Sequence, residues 1–132
     1  MKTIKIIIEK SSDYYDAYAE NCKGVYGAGN TPDEAKKNAL EGLKLLIDSR
    51  LKRELPKILQ GKYNIEYKYD VQSFLKYYNK IFTNVALERI TGINQKLLHH
   101  YSVGLKRPRP TQREKIEVAL HQLGNELLSV RL

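Results

Sequence analysis

Residues 94–100 hold a dense group of polar and basic side chains that could form hydrogen bonds with nucleic-acid bases. The members of this group are Asn94, Gln95, Lys96, His99 and His100. A glutamine amide can pair in a bidentate manner with adenine, and a lysine can donate to O6 and N7 of guanine. The segment therefore carries the donors and acceptors that contacts with base edges require.

Two predicted helices would position this group. Thr83 can cap a helix that ends at Thr91-Gly92, and Asn94 can cap a second helix that ends at Gly104. A short turn containing glycine between two helices is typical of a helix-turn-helix, whose second helix places its N-terminal residues at base edges in the major groove. We expect Leu98 and Tyr101 to face inward and Lys96 and His100 to face outward. The alternative is a helical bundle whose exposed residues happen to be basic.

A basic segment follows the second helix. Lys106, Arg107 and Arg109 are suited to phosphate contacts, and Pro108 and Pro110 favour an extended backbone. We expect residues 106–110 to be non-helical and Thr111-Gln112-Arg113-Glu114 to form a capping box that opens the last helix. The predicted apolar stripe of that helix is Ile116, Ala119, Leu120, Leu123, Leu127 and Leu128.

The charge of the chain is unevenly distributed. The 132 residues include 23 Lys+Arg and 15 Asp+Glu, for a net charge of +8. Residues 1–70 hold 13 Lys+Arg against 11 Asp+Glu, a net of +2, whereas residues 71–132 hold 10 against 4, a net of +6. This asymmetry predicts a polyanionic partner for the second half, although a solvated basic face would have the same composition.

Composition also excludes several classes of protein. Hydrophobic content of 42% and charged content of 29% exclude a disordered or low-complexity chain. A single cysteine, Cys22, cannot form an internal disulfide and favours a reducing compartment. The longest apolar run, Ile6-Ile7-Ile8, is far shorter than the ~20 residues of a membrane span. The N-terminal residues lack a signal-peptide pattern, so we expect a cytoplasmic protein.

The first half shows alternating and helical patterns in the order β-β-β-α-β. Strands are predicted over residues 3–10 and 14–19, a short one begins near Val25, and strict alternation predicts another over 63–70. The capping box Thr31-Pro32-Asp33-Glu34 opens a helix from about residue 32 to residue 54. After Asp70 every pattern is helical, the first helix covering residues 73–82. The sequence thus predicts an α+β protein with domains 1–70 and 71–132.

Residues 73–132 resemble the phage-repressor (Cro/C1-type) helix-turn-helix family. The turn of that family is matched by Gly92-Ile93-Asn94. The resemblance implies that Gln95, Lys96 and His100 occupy base-contacting positions and that Asn84 occupies a phosphate-contacting one. The family favours a small residue four positions before the turn glycine, where this chain has Glu88.

The first half resembles the HicB antitoxins. The matching motifs are Tyr14-Tyr15-Asp16-Ala17-Tyr18, a glycine-containing loop, Gly29-Asn30-Thr31-Pro32-Asp33-Glu34-Ala35 and Asn38-Ala39. The family usually has Pro-Asp-Leu-Pro-Gly after the second strand, where this chain has Glu20-Asn21-Cys22-Lys23-Gly24. The resemblance implies a partial, catalytically degraded RNase H-like fold and an antitoxin of a type II toxin-antitoxin system. Such an antitoxin binds HicA, a small ribonuclease toxin, covers its active site, and represses the operon through its DNA-binding domain.

No enzymatic role, cofactor or metal is expected from the residues. Adjacent His99 and His100 would point about 100° apart on a helix and cannot share a metal. Asp16 and Glu34 could be carboxylates of an active RNase H-like site, but no further acid has a defined place beside them. Because helix-turn-helix units normally bind DNA as pairs, we expect a homodimer or higher oligomer on a palindromic operator.

Two other interpretations stay open. One is a helix-turn-helix transcription regulator whose N-terminal domain senses a ligand or only dimerises. The other is an RNA-processing enzyme that uses the first domain.

Overall fold

A computed structural model describes residues 1–132. Its contacts divide the chain into two compact units, Met1–Tyr77 and Tyr78–Leu132. A four-stranded mixed sheet followed by helices is compatible with the predicted α+β class. Every helix in the chain is too short or too polar to cross a bilayer.

The first unit is built on a sheet with the strand order β3-β2-β1-β4. Its strands are β1 (Lys2–Lys10), β2 (Tyr15–Ala19), β3 (Tyr26–Gly29) and β4 (Tyr63–Tyr69). The first three pair antiparallel, whereas β4 lies parallel to β1 on its other side. A parallel neighbour needs a crossover connection. Helix α1 (Pro32–Asp48) and two 3-10 turns, Lys52–Glu54 and Lys57–Leu59, provide it.

One face of the sheet carries the core of this unit. Alternate residues of β1, namely Ile4, Ile6 and Ile8, are fully buried. They pack with Ala35 and Ala39 of α1, which are also fully buried. The period of two along β1 therefore separates a buried face from an opposite face that α1 does not cover.

Helix α1 begins where the sequence predicts and ends earlier. Thr31 Oγ1 accepts a hydrogen bond from the N–H of Glu34 at 3.1 Å, as an N-cap should. The Glu34 carboxylate accepts from the N–H of Asn30 at 3.3 Å, one residue before the cap. The predicted end at residue 54 is wrong, because the helix stops at Asp48. The chain then bends into the 3-10 turns, which bring Leu55 and Leu59 into the core.

Helix α1 lies unusually close to β3. A Cβ at Gly27 would lie 2.2 Å from the backbone nitrogen of Ala39, and one at Gly29 would lie 2.7 Å from Cβ of Glu34. Asn38 Nδ2 also donates to the carbonyl of Ala28 at 2.7 Å. The motif residues of this region thus form one packing unit between a strand and a helix.

The first unit extends beyond the boundary at residue 70 that the sequence suggested. Asp70 Oδ2 accepts from the N–H of Lys10 at 2.9 Å, and its Oδ1 accepts from the N–H of Ser73 at 2.6 Å. Helix α2 (Val71–Tyr78) begins directly after it. The ring of Tyr69 packs against Phe74 and Tyr77, with centroids 5.9 and 5.6 Å apart. These contacts attach α2 to the sheet and move the division of the chain to Tyr77.

The second unit contains α3 (Asn84–Thr91), α4 (Gln95–Ser102) and α5 (Pro110–Leu128). The predicted capping box at Thr111 is wrong, because Arg109 is the N-cap and Pro110 is the first helical residue. Proline suits this position, since its missing N–H would have no partner there. The buried residues of this unit are Leu87, Thr91, Ile93, Leu98, Tyr101, Ile116 and Ala119. Only the first part of the predicted stripe on α5 is buried; Leu127 and Leu128 are exposed.

The approach of α1 to β3 predicts that Gly27→Ala destabilises the protein. Its new methyl group would overlap backbone atoms that cannot move independently, so we expect the free energy of unfolding to fall by about 1–3 kcal/mol. Gly61→Ala is the control, because a Cβ at Gly61 would have nothing within 4 Å, and it should change stability by less than about 1 kcal/mol. Urea denaturation of both variants measures the difference; equal stabilities would contradict the close packing.

Candidate nucleic-acid interface

Helices α3 and α4 are joined by a short turn, and hydrogen bonds fix the backbone at both of its ends. Thr83 Oγ1 accepts from the N–H of Ala86 at 3.1 Å and caps α3. Gly92 adopts a left-handed conformation, φ +75°, and its N–H donates to the carbonyl of Glu88 at 2.8 Å. Asn94 Oδ1 accepts from the N–H of Lys96 at 2.8 Å and caps α4. The predicted helix starts at Thr83 and Asn94 and the predicted end at Gly92 are therefore confirmed.

The side chain of Thr91 stabilises the turn from its buried side. Its hydroxyl donates to the carbonyl of Leu87 at 2.6 Å and accepts from the N–H of Ile93 at 3.1 Å. Thr91 and Ile93 are both buried, so the N–H of Ile93 has a partner where water cannot reach it. Sequence reasoning missed this role of Thr91. The signal available in the sequence was a threonine two positions before the apolar Ile93.

Helix α4 has a buried side and an exposed side. Leu98 and Tyr101 are buried as predicted, and Lys96 and His99 are exposed. The expectation that His100 faces outward is wrong in part. This residue is half-buried, and its Nδ1 is enclosed without a hydrogen-bond partner. His100 lies next to Tyr101 and one turn after the half-buried Leu97, at the border of the apolar stripe.

The side chain of Gln95 is held by α3. The carboxylate of Glu88 accepts from the backbone N–H of Gln95 at 3.3 Å and from its Nε2 at 3.4 Å. Glu88 thus contacts the first residue of α4. The resemblance led us to expect a small residue at position 88. Bidentate pairing with adenine uses both the nitrogen and the oxygen of the amide. A bidentate contact of that kind would therefore require the Gln95 amide to leave Glu88.

Two asparagines have different places in this unit. Asn94 is exposed, but its Oδ1 is already used to cap α4, so its first role is to orient that helix. Asn84 is the first residue of α3 and is half-buried. The structure therefore places Asn84 at the start of α3, and Asn94, Gln95 and Lys96 at the start of α4, whereas His99 and His100 lie in the last turn of α4.

The basic segment between α4 and α5 is fixed at both ends. Helix α4 closes with two backbone bonds, from Leu105 N–H to the carbonyl of His100 at 2.9 Å and from Gly104 N–H to the carbonyl of Tyr101 at 3.3 Å. Gly104 has φ +79°, and this pair of bonds is a Schellman motif. At the other end, the carbonyl of Arg109 accepts from the N–H groups of Gln112 and Arg113. Between these anchors the basic side chains remain exposed, namely Lys106, Arg107 and Arg109.

The titratable groups of the first unit form local hydrogen-bond networks. Asp16 accepts hydrogen bonds from the hydroxyls of Ser11 and Tyr26, the latter at 2.8 Å. This bond raises the pKa of Tyr26 above its ordinary value, and burial raises the pKa of the Cys22 thiol. Glu34 is engaged separately, at the start of α1. No group of three or more His, Cys, Asp and Glu side chains in residues 1–132 could hold a metal ion.

Comparisons of the chain with protein-family models, with curated proteins and with solved structures give no match. The candidate interface therefore depends on the residues and geometry described above.

The left-handed turn between α3 and α4 predicts a graded effect of substitution at Gly92. A Cβ at Gly92 would have nothing within 4 Å, so the cost of Gly92→Ala is conformational and should be about 1–2 kcal/mol. Gly92→Asn should cost less, because asparagine tolerates this conformation better than alanine does. Denaturation curves of both variants test the order; an alanine variant as stable as the wild type would contradict it.

Proposed function

We propose that the chain is an antitoxin and autorepressor. The second unit binds operator DNA through α4, and the first unit binds and blocks a HicA-like ribonuclease toxin. The observation that carries the proposal is the α3–turn–α4 pair, with a turn held by the hydrogen bonds of the buried Thr91 and with the exposed Lys96 in the first turn of α4.

Electrostatics support the DNA-binding part. Residues 71–132 have a net charge of +6, and neutralisation of phosphates by lysine and arginine supplies sequence-independent affinity for DNA. The exposed residues Lys106, Arg107 and Arg109 suit this role, because the fixed backbone at both ends of their segment limits the entropy lost on binding. Lys96 and Gln95 suit base contacts, because both lie in the first turn of α4.

The first unit supports the toxin-binding part through its architecture and surface. It has the β-β-β-α-β order that the residue patterns predict. The residues that carry the resemblance, from Gly29 to Ala39, belong to one packing unit between β3 and α1. Tyr14 and Tyr26 are 41% and 55% exposed, and tyrosine is enriched in protein interfaces. A net charge of +2 over residues 1–70 favours a protein partner over a nucleic acid.

Substitutions in the second unit should separate base contacts from phosphate contacts. We expect Lys96→Ala and Gln95→Ala to weaken binding to DNA from upstream of the chain's own gene by roughly tenfold or more, with little change for unrelated DNA. Arg107→Ala and Arg109→Ala should weaken both DNAs alike and reduce the salt slope of the affinity by about 1 each. Fluorescence anisotropy over a salt series measures these quantities.

Lys44→Ala is the matched control for that series. Lys44 is an exposed lysine of α1 in the first unit, so its removal changes the total charge without altering the proposed interface. Its DNA affinity should stay close to that of the wild type. Wild-type affinity in both Lys96→Ala and Gln95→Ala would rule out the assignment of α4.

A second prediction concerns the toxin. Co-expression with the product of the neighbouring gene should give a complex that co-purifies and in which RNA cleavage by that product is suppressed. The purified chain alone should not cleave RNA. Metal-dependent cleavage by the chain that is lost in Asp16→Asn would contradict the proposal and support an RNA-processing enzyme.

A further inference from the structure

Strand β4 forms one edge of the sheet and is its longer edge. It has seven residues, whereas β3 at the opposite edge has four. An edge strand presents backbone donors and acceptors in the orientation that a further strand requires. The groups that β4 presents on the side facing away from β1 therefore decide what can pair with it.

The hydrogen bonds of β1 determine the direction of the backbone groups in β4. The carbonyl of Lys5 accepts from Glu20 N–H at 2.8 Å on the β2 side, and the carbonyl of Ile8 accepts from Asp70 N–H at 3.2 Å on the β4 side. Backbone groups alternate in direction along a strand, and the β1–β4 register is regular from Lys2↔Tyr63 to Ile8↔Tyr69. The N–H and C=O of Ile65 and Tyr67 therefore point away from β1.

The side chains of β4 alternate in the same manner. Ile65 and Tyr67 share the face that α1 covers, and the ring of Tyr67 lies 4.2 Å from Nζ of Lys36 on that helix. Glu66 and Lys68 lie on the opposite face and are both exposed. The edge thus carries one negative and one positive side chain, placed symmetrically on either side of Tyr67.

We propose that two copies of this chain pair through β4, antiparallel and about a two-fold axis at Tyr67. In that register the two Tyr67 residues exchange both backbone hydrogen bonds. Glu66 of each copy lies directly opposite Lys68 of the other, and Ile65 lies opposite Tyr69. Opposite charges at directly opposed positions stabilise an antiparallel pair. The two four-stranded sheets then form one continuous sheet of eight strands.

Charge disfavours the registers that have their axes at Ile65, Glu66 and Lys68. An axis at Glu66 would oppose two glutamates, and an axis at Lys68 would oppose two lysines. An axis at Ile65 would place Lys62 opposite Lys68. A lysine on an edge strand usually prevents pairing with another strand. In this chain, Glu66 of one copy lies opposite Lys68 of the other only when the axis is at Tyr67. The edge lysine therefore favours pairing with a second copy in that register.

Charge reversal on the full-length chain tests the proposal. Glu66→Lys and Lys68→Glu should each weaken self-association at least tenfold at low salt, because each variant opposes like charges in the proposed register. The double variant Glu66→Lys, Lys68→Glu should regain the association of the wild type. An equimolar mixture of the two single variants should form a heterodimer. Sedimentation velocity measures the association, and native mass spectrometry identifies the heterodimer.

Glu41→Lys is the control for the charge change, because Glu41 is exposed on α1 and distant in sequence from the edge. It should associate as the wild type does. The proposal is wrong if the wild type is monomeric, or if both single variants associate normally. It is also wrong if the single variants lose association and neither the double variant nor the mixture restores it.

Cysteine pairs measure the register directly. Positions 66 and 68 form non-hydrogen-bonded pairs in the proposed dimer, where Cα atoms lie about 4.5 Å apart, within disulfide range. Oxidation of a mixture of Glu66→Cys and Lys68→Cys should link the two variants to each other, while the native Cys22 is buried and should react slowly. Faster linkage of Glu66→Cys to itself would place the axis at Glu66 and overturn the proposal.

Discussion

The close approach of α1 to β3 is the constraint on which the first unit depends. Without a side chain at Gly27 and Gly29, the helix backbone comes within contact distance of the strand backbone. Ala35 and Ala39 must then be small, and both are fully buried. Since α1 lies against the β2–β3 side, the rest of the face needs other cover. Leu55, which follows the first 3-10 turn, and Leu59, in the second, provide it, and Tyr63, Ile65 and Tyr69 of β4 pack against the same core.

In the second unit, the side chains that orient α4 are partly the same ones that are predicted to contact DNA. Asn94 caps the helix, Gln95 is bonded to Glu88, and His100 is half-buried. Lys96 and His99 are exposed, and their side chains take no part in these contacts. Glu88 has two consequences in this arrangement. It accepts the N–H of Gln95, the first residue of α4, and it holds the Gln95 amide against α3.

Local patterns predict the starts of α1, α3 and α4 better than they predict where α1 ends or which elements pack together. Thr31, Thr83 and Asn94 each accept from an N–H two or three residues later, an interaction encoded within four residues. The end of α1 depends instead on where Leu55 and Leu59 find the core, which is a tertiary effect. Alternation predicted β4, but its pairing with β1 joins residues about sixty positions apart, as does the bond from Lys10 to Asp70. The Glu88–Gln95 contact was missed because it depends on the angle between two helices.

The carboxylate of Asp70 fixes the place at which this chain could exchange one module for another. It joins the end of β1 to the first turn of α2 with two hydrogen bonds, so the helix is a component of the sheet unit. A gene fusion directly after residue 70 would remove Ser73, whose N–H donates to Asp70, and the two aromatic rings that pack against Tyr69. Recombination after Tyr77 would keep both. A different C-terminal module could then be attached to an intact sheet, and each half of the chain could be exchanged independently of the other.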